Sequence, residues 1–160
     1  MTNTQKLIDS FQTTTWIIHK QADGLSHEDS VRQLPFRGNC FNWVLGHIVE
    51  HRDQVLAALG APALLSEAEA ALYRTRSEPI TDGETAVPLP KLLRLLDEGQ
   101  AAIAAALNDT SAEQLEAIYS AEHNQTVGDR VAGLHWHETY HTGQLEILRQ
   151  LAGTNDRILG

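Results

Sequence analysis

The residues that decide the fold run His135-Trp136-His137-Glu138-Thr139-Tyr140-His141-Thr142-Gly143-Gln144-Leu145, inside a longer segment opened by Thr126-Val127-Gly128-Asp129 and closed by Gly153. Thr126 caps the start, glycine terminates the end, and the spacing between them predicts one long helix reaching about Ala152. His137 and His141 are four apart and lie one above the other on the same helical face. His135, two steps earlier, points elsewhere. At 100° per residue, Arg130, Leu134, Tyr140, His141, Gln144 and Leu148 fall within about 60° of His137. Leu134 and Leu148 mark that side as core-facing, so the polar residues between them need partners or leave their desolvation uncompensated.

The rest of the chain repeats the pattern of long helices broken by loops. Leu7, Phe11, Thr15, Ile18 and Ala22 recur at three and four, predicting a first helix over about Thr4 to Asp23, stopped by Gly24. Ser26-His27-Glu28-Asp29 caps a short turn before Pro35. A second long helix is expected from about Cys40 to Leu59, with Asn39 as N-cap and Gly60 just past the end. Leu65 to Val87 is irregular, with a short helix near Ser66 to Tyr73. A third long helix spans about Leu89 to Leu107, ended by Asn108-Asp109, and Ser111-Ala112-Glu113-Gln114 reads as a capping box on a short helix to about Ile118. Four long helices with accessory pieces and scarcely any strand signal predict an all-α four-helix bundle forming one domain over residues 1–160, a scaffold that builds metal sites from facing helices.

Bulk properties narrow the function classes. A chain of 160 residues is long enough to bury a substantial core. Its formal charge is −9, and its lysines and arginines form no basic stripe, which disfavours nucleic acid. No apolar run approaches a membrane span of about 20 residues, and nothing resembles a signal peptide. The single cysteine, Cys40, excludes an intramolecular disulfide framework, so a cytoplasmic protein is expected.

Paired imidazoles four residues apart can close on one metal ion. The second long helix carries another such pair, His47 and His51, on the side shared by Val44 and Ala58. One of these with His137 and His141 gives three neutral nitrogen ligands and leaves a position for water or substrate, as in catalytic rather than structural zinc sites.

Leu45-Gly46-His47-Ile48, together with His137-Glu138-Thr139-Tyr140-His141-Thr142-Gly143-Gln144-Leu145-Glu146-Ile147-Leu148-Arg149, resembles the DinB-like family, also called the DinB/YfiT-like putative metalloenzymes. The resemblance covers the helix order and nearly the whole chain; its H-x-x-x-H-x-G-Q-L run is the specific part. It implies a bundle holding a divalent metal, zinc or nickel foremost, on His47, His137 and His141. It also implies a homodimer and, where activity is known in the family, thiol-dependent transfer or isomerisation using low-molecular-weight thiols.

The remaining candidates follow from position. His51 is expected to line the pocket and is the first choice as proton carrier. Gln144 is expected beside the metal as a hydrogen-bond partner or substrate contact. Arg130, almost two turns before His137, is a candidate anion holder near the mouth or one half of a surface ion pair. Gly143 is expected to admit a neighbouring helix, and Glu50 and Glu138 to be solvated helix charges. Cys40 is expected to be a buried structural thiol, and Trp16, Trp43 and Trp136 core or interface aromatics. The leading function is a metal-dependent enzyme, a hydrolase or a thiol S-transferase or isomerase. Its rivals are a non-catalytic, stress-associated metal protein and a metal-free helical interaction module.

Overall fold

The computed structural model describes residues 4–154. Its long elements are α1 (Thr4–Ala22), α3 (Phe41–Ala58), α5 (Leu89–Asp109) and α7 (Val127–Leu151), with short helices α2 (His27–Ser30), α4 (Glu67–Tyr73) and α6 (Ala112–Glu116). The chain is an all-α four-helix bundle, and the one sheet among the described residues is a hairpin of β1 (Ile118–Ser120) and β2 (Gln125–Thr126).

Local chemistry explains the boundaries. Ser26, Ser66, Ser111 and Thr126 each accept from the backbone N–H three residues on, while the side chain at that position reaches back to the cap. Each box satisfies donors a helix start otherwise leaves orphaned. The N-cap of α3 is Cys40 rather than the expected Asn39: the Cys40 carbonyl accepts from Val44 at 3.1 Å, placing Asn39 one residue outside. α5 continues through Asp109, two residues past the expected end, and α6 stops at Glu116 because Ile118 pairs with Thr126 in the hairpin. The Arg149 guanidinium donates to the carbonyls of Lys20, Gln21 and Asp23, closing the C-terminus of α1 with a cation where the helix dipole favours one.

The core is divided. One apolar cluster takes Ile18 and Ala22 of α1, Val44, Leu45, Ile48 and Val49 of α3, Leu92, Leu95 and Leu96 of α5 and Leu145 and Leu148 of α7. The other takes Ile8 and Phe11, Val55 and Leu56, Ile103 and Leu107, and Val131 and Leu134 from the same four helices. Between them lies a buried polar layer of Thr14 and Thr15 on α1, Arg52 on α3, and Glu138 and Thr142 on α7. Gly99 of α5 completes it, since a Cβ there would stand 3.2 Å from the Arg52 Cδ.

The candidate metal centre

α3 and α7 run antiparallel, with His47 beside His141, His51 beside His137, Arg52 against Glu138 and Gln54 against Arg130. This register brings four imidazoles into one cluster. His47 lies 4.2 Å from His51, 5.2 Å from His137 and 4.8 Å from His141 between ring centroids. One nitrogen from each of His47, His137 and His141 lies within 4.8 Å of the other two. His51 meets that spacing only in the company of His47 and Glu50, and its ring instead stacks on His137 at 4.1 Å and 16°.

The histidines are held from behind. His47 Nδ1–H donates to the Tyr73 carbonyl at 2.6 Å, which leaves Nε2 with its lone pair. Tyr73, the last residue of α4, reaches this position because residue 46 is glycine: a Cβ at Gly46 would lie 2.3 Å from the Tyr73 ring. The Leu-Gly-His run is thus a packing device, a bare patch on α3 through which a carbonyl from another helix fixes the imidazole. Tyr73 is locked in turn: its hydroxyl donates to Asn42 Oδ1 and accepts from the Val87 N–H, each at 2.9 Å. Trp43 stacks on His47 at 4.7 Å.

On α7, His141 Nδ1–H donates to Gln144 Oε1 at 2.7 Å, and its Nε2 lies 3.1 Å from His137 Nε2. Two aligned nitrogens so close, one of them a lone pair, require a proton or a cation between them. His137 Nδ1 is buried without a partner. Burial pushes His47 down to about 4, and the neighbouring His51 and His141 add to that against the opposing Tyr73 carbonyl. His137 falls to about 4, through burial and then His51, His141 and His47, and burial also lowers His141 against its bond to Gln144. All three are neutral near pH 7, the form in which imidazole binds metal. The three residues therefore fit a divalent cation in donor type, protonation and spacing.

A second polar chain starts at His51. Its Nδ1 stands 3.1 Å from both the His47 carbonyl and Glu50 Oε2. Gln54 donates to both Glu50 oxygens, and Arg130 donates to Gln54 Oε1 at 2.7 Å. Burial raises the Glu50 carboxyl, but its bonds to His51 and Gln54 outweigh this and hold it below the usual carboxylate range. Glu50 is 8% exposed, so the expectation of a solvated charge is corrected: the core-side position of α3 buries it with His51. Arg130 is half-buried, stacks on Tyr119 at 5.6 Å and joins the site through Gln54 and Glu50 rather than by touching the imidazoles.

Glu138 is the larger correction. It is 1% exposed and takes a two-bond contact from the fully buried Arg52, Nε to Oε2 at 2.9 Å and Nη2 to Oε1 at 2.6 Å. Gly143 admits no helix, since a Cβ there would meet nothing within 4 Å; Gly46 is the glycine of close approach. Cys40 is buried as expected, its thiol 3.7 Å from the Ile80 carbonyl. Trp43 is buried, whereas Trp16 and Trp136 are exposed, Trp136 stacking on Tyr140. His135 packs edge-on against Phe11 and His27 bridges Gly83 and Leu89, so neither joins the cluster. One turn beyond His47 and His141, a cleft of about 330 Å³ opens, walled by uncharged residues that include Val44, Gln144 and Leu148.

The sequence profile of the DinB superfamily matches residues 7–145, a span that contains all four clustered histidines. The chain belongs to the DinB superfamily. Among solved structures, a conserved protein from Enterococcus faecalis superposes with a TM-score of 0.73 at 16% identity, over 96% of this chain and 99% of that one. At that identity this DinB-superfamily chain shares the fold of its neighbour and nothing finer. A comparison with curated protein sequences finds no significant match. No helix among the described residues is long and apolar enough to cross a membrane.

Proposed function

We propose that this DinB-superfamily protein is a metal-dependent enzyme that holds a divalent cation, zinc or nickel foremost, on His47, His137 and His141. The observation that carries the reading is the convergence of three neutral imidazole nitrogens within 4.8 Å of one another. A cation so held supplies Lewis acidity, lowering the pKa of a bound water or thiol so that a nucleophile exists near neutral pH. The Tyr73 carbonyl and Gln144 fix the tautomers of His47 and His141. Glu50 and the His47 carbonyl fix the Nδ1 side of His51, leaving its Nε2 to take the proton. Arg130, linked to Glu50 through Gln54, steadies that carboxylate and presents positive charge towards an anionic group on the substrate. The uncharged cleft beside Gln144 receives the substrate's body.

Hydrolysis and thiol-dependent S-transfer or isomerisation both suit this arrangement, with a low-molecular-weight thiol as co-substrate in the second case. The reading extends to the cytoplasm, and to a homodimer, the latter supported by Trp136, Tyr140 and Ile147, large apolar side chains exposed along α7. A non-catalytic metal protein is the alternative, and the grouping of His47 with Glu50 and His51 favours it by offering further ligands. The visible absorption of the cobalt-substituted protein separates the two. A ligand-field change on adding a small thiol supports an open, reactive site. A spectrum indifferent to thiol and to azide indicates a closed coordination sphere.

A further inference from the structure

The polar layer at the centre of the bundle has no part in the chemistry above, yet it draws bonds from every long helix. Arg52 donates to Glu138 through two nitrogens, to the Leu96 carbonyl of α5 at 2.7 Å, and to Thr15 Oγ1 of α1 at 2.8 Å. Thr14, also on α1, donates to the same Glu138 oxygen that Arg52 Nη2 reaches. All four long helices therefore meet at one ion pair. Gly99 leaves the space that the Arg52 side chain occupies.

Stability alone does not account for such a pair, because well-packed apolar residues of similar volume commonly stabilise a core as well or better. Its position offers another reason. Arg52 follows His51 directly, and Glu138 follows His137 directly. At 100° per residue, both side chains turn inward while the imidazoles turn to the seam between α3 and α7. The two-bond fork tolerates neither a sliding nor a rotation of α7 against α3, since either would leave two charges buried and unpaired. The clusters on either side are apolar, and apolar packing is not directional.

We infer that Arg52 and Glu138 are positioning residues for the metal centre: their buried ion pair sets the register of α3 against α7 that brings His47 to His137 and His141. The inference rests on the metal-binding reading above, and its test keeps the two apart. The double variant Arg52→Met/Glu138→Leu replaces the pair with apolar volume. It is expected to fold with an unfolding temperature no lower than the wild type. Its cobalt affinity, by competition titration, should fall about 10–100-fold, the range found when residues supporting metal ligands are removed. Its ligand-field bands should shift as well. A folded double variant that binds cobalt within twofold of wild type, with an unchanged spectrum, would overturn the inference.

Should the double variant fail to fold, Glu138→Gln, which keeps the shape and loses the charge, is read by the same two criteria under conditions where it is helical. If wild-type protein binds no cobalt, the metal reading fails by itself. Register is then read from the imidazole nitrogen resonances of the metal-free proteins. Loss of the single His47 tautomer in the variants supports the positioning role, and wild-type resonances overturn it.

Discussion

Neutral imidazole inside a bundle links the candidate centre to pH. His47 and His137 are both pushed down to about 4 in the folded chain, against an ordinary value of 6.5. As pH falls below 6.5, the unfolded chain takes up protons that the folded chain refuses. The stability these groups contribute is therefore complete above 6.5 and is lost progressively towards 4. For His47 the slope approaches about 1.4 kcal/mol per pH unit. Urea titrations of the metal-free protein between pH 7 and pH 4.5 should show the decline, and a His47→Gln variant a shallower one. Equal slopes in the two proteins would show that His47 is not held neutral. The sequence marks these histidines by spacing, but their tautomers depend on Tyr73 and Gln144, and the Tyr73 contact crosses from another helix.

Helices and their caps account for most of what is legible in the sequence. Capping pairs such as Ser111 with Gln114, and the spacing from Phe11 to Ala22, are local and survive into the fold unchanged. The hairpin at Ile118 is not legible, because two strands of three and two residues carry too little alternation to be seen. The glycines show the same limit. Gly143 and Gly46 look alike in sequence, yet only Gly46 has an aromatic ring laid against it. Gly46→Ala should displace Tyr73 and cost about 1–3 kcal/mol through overpacking. Gly143→Ala has open space and should stabilise α7 by about 1 kcal/mol through helix propensity. Thermal unfolding checks both, and a neutral Gly46→Ala would contradict the close approach of α4.

The bundle as a body is two apolar clusters joined through a charged waist, and that waist is its least readable feature. On one helical wheel, Glu138 sits off the histidine stripe and defaults to solvent. Only the packing of α7 on α3, a helix that the whole bundle buries at fifteen of its eighteen residues, turns it inward to Arg52. Breaking the pair from one side leaves an uncompensated buried charge, so Glu138→Ala should cost about 3–5 kcal/mol in chemical denaturation. A loss below about 1 kcal/mol would mean that water reaches Arg52. Function turns, however, on whether the register that this waist accompanies delivers a metal. The direct measurement is elemental analysis of protein made without a histidine tag, wild type beside His47→Ala and His137→Ala. One equivalent of a divalent transition metal in the wild type, and little or none in either variant, is the predicted result. A metal-free wild type, or variants with undiminished metal content, would contradict it.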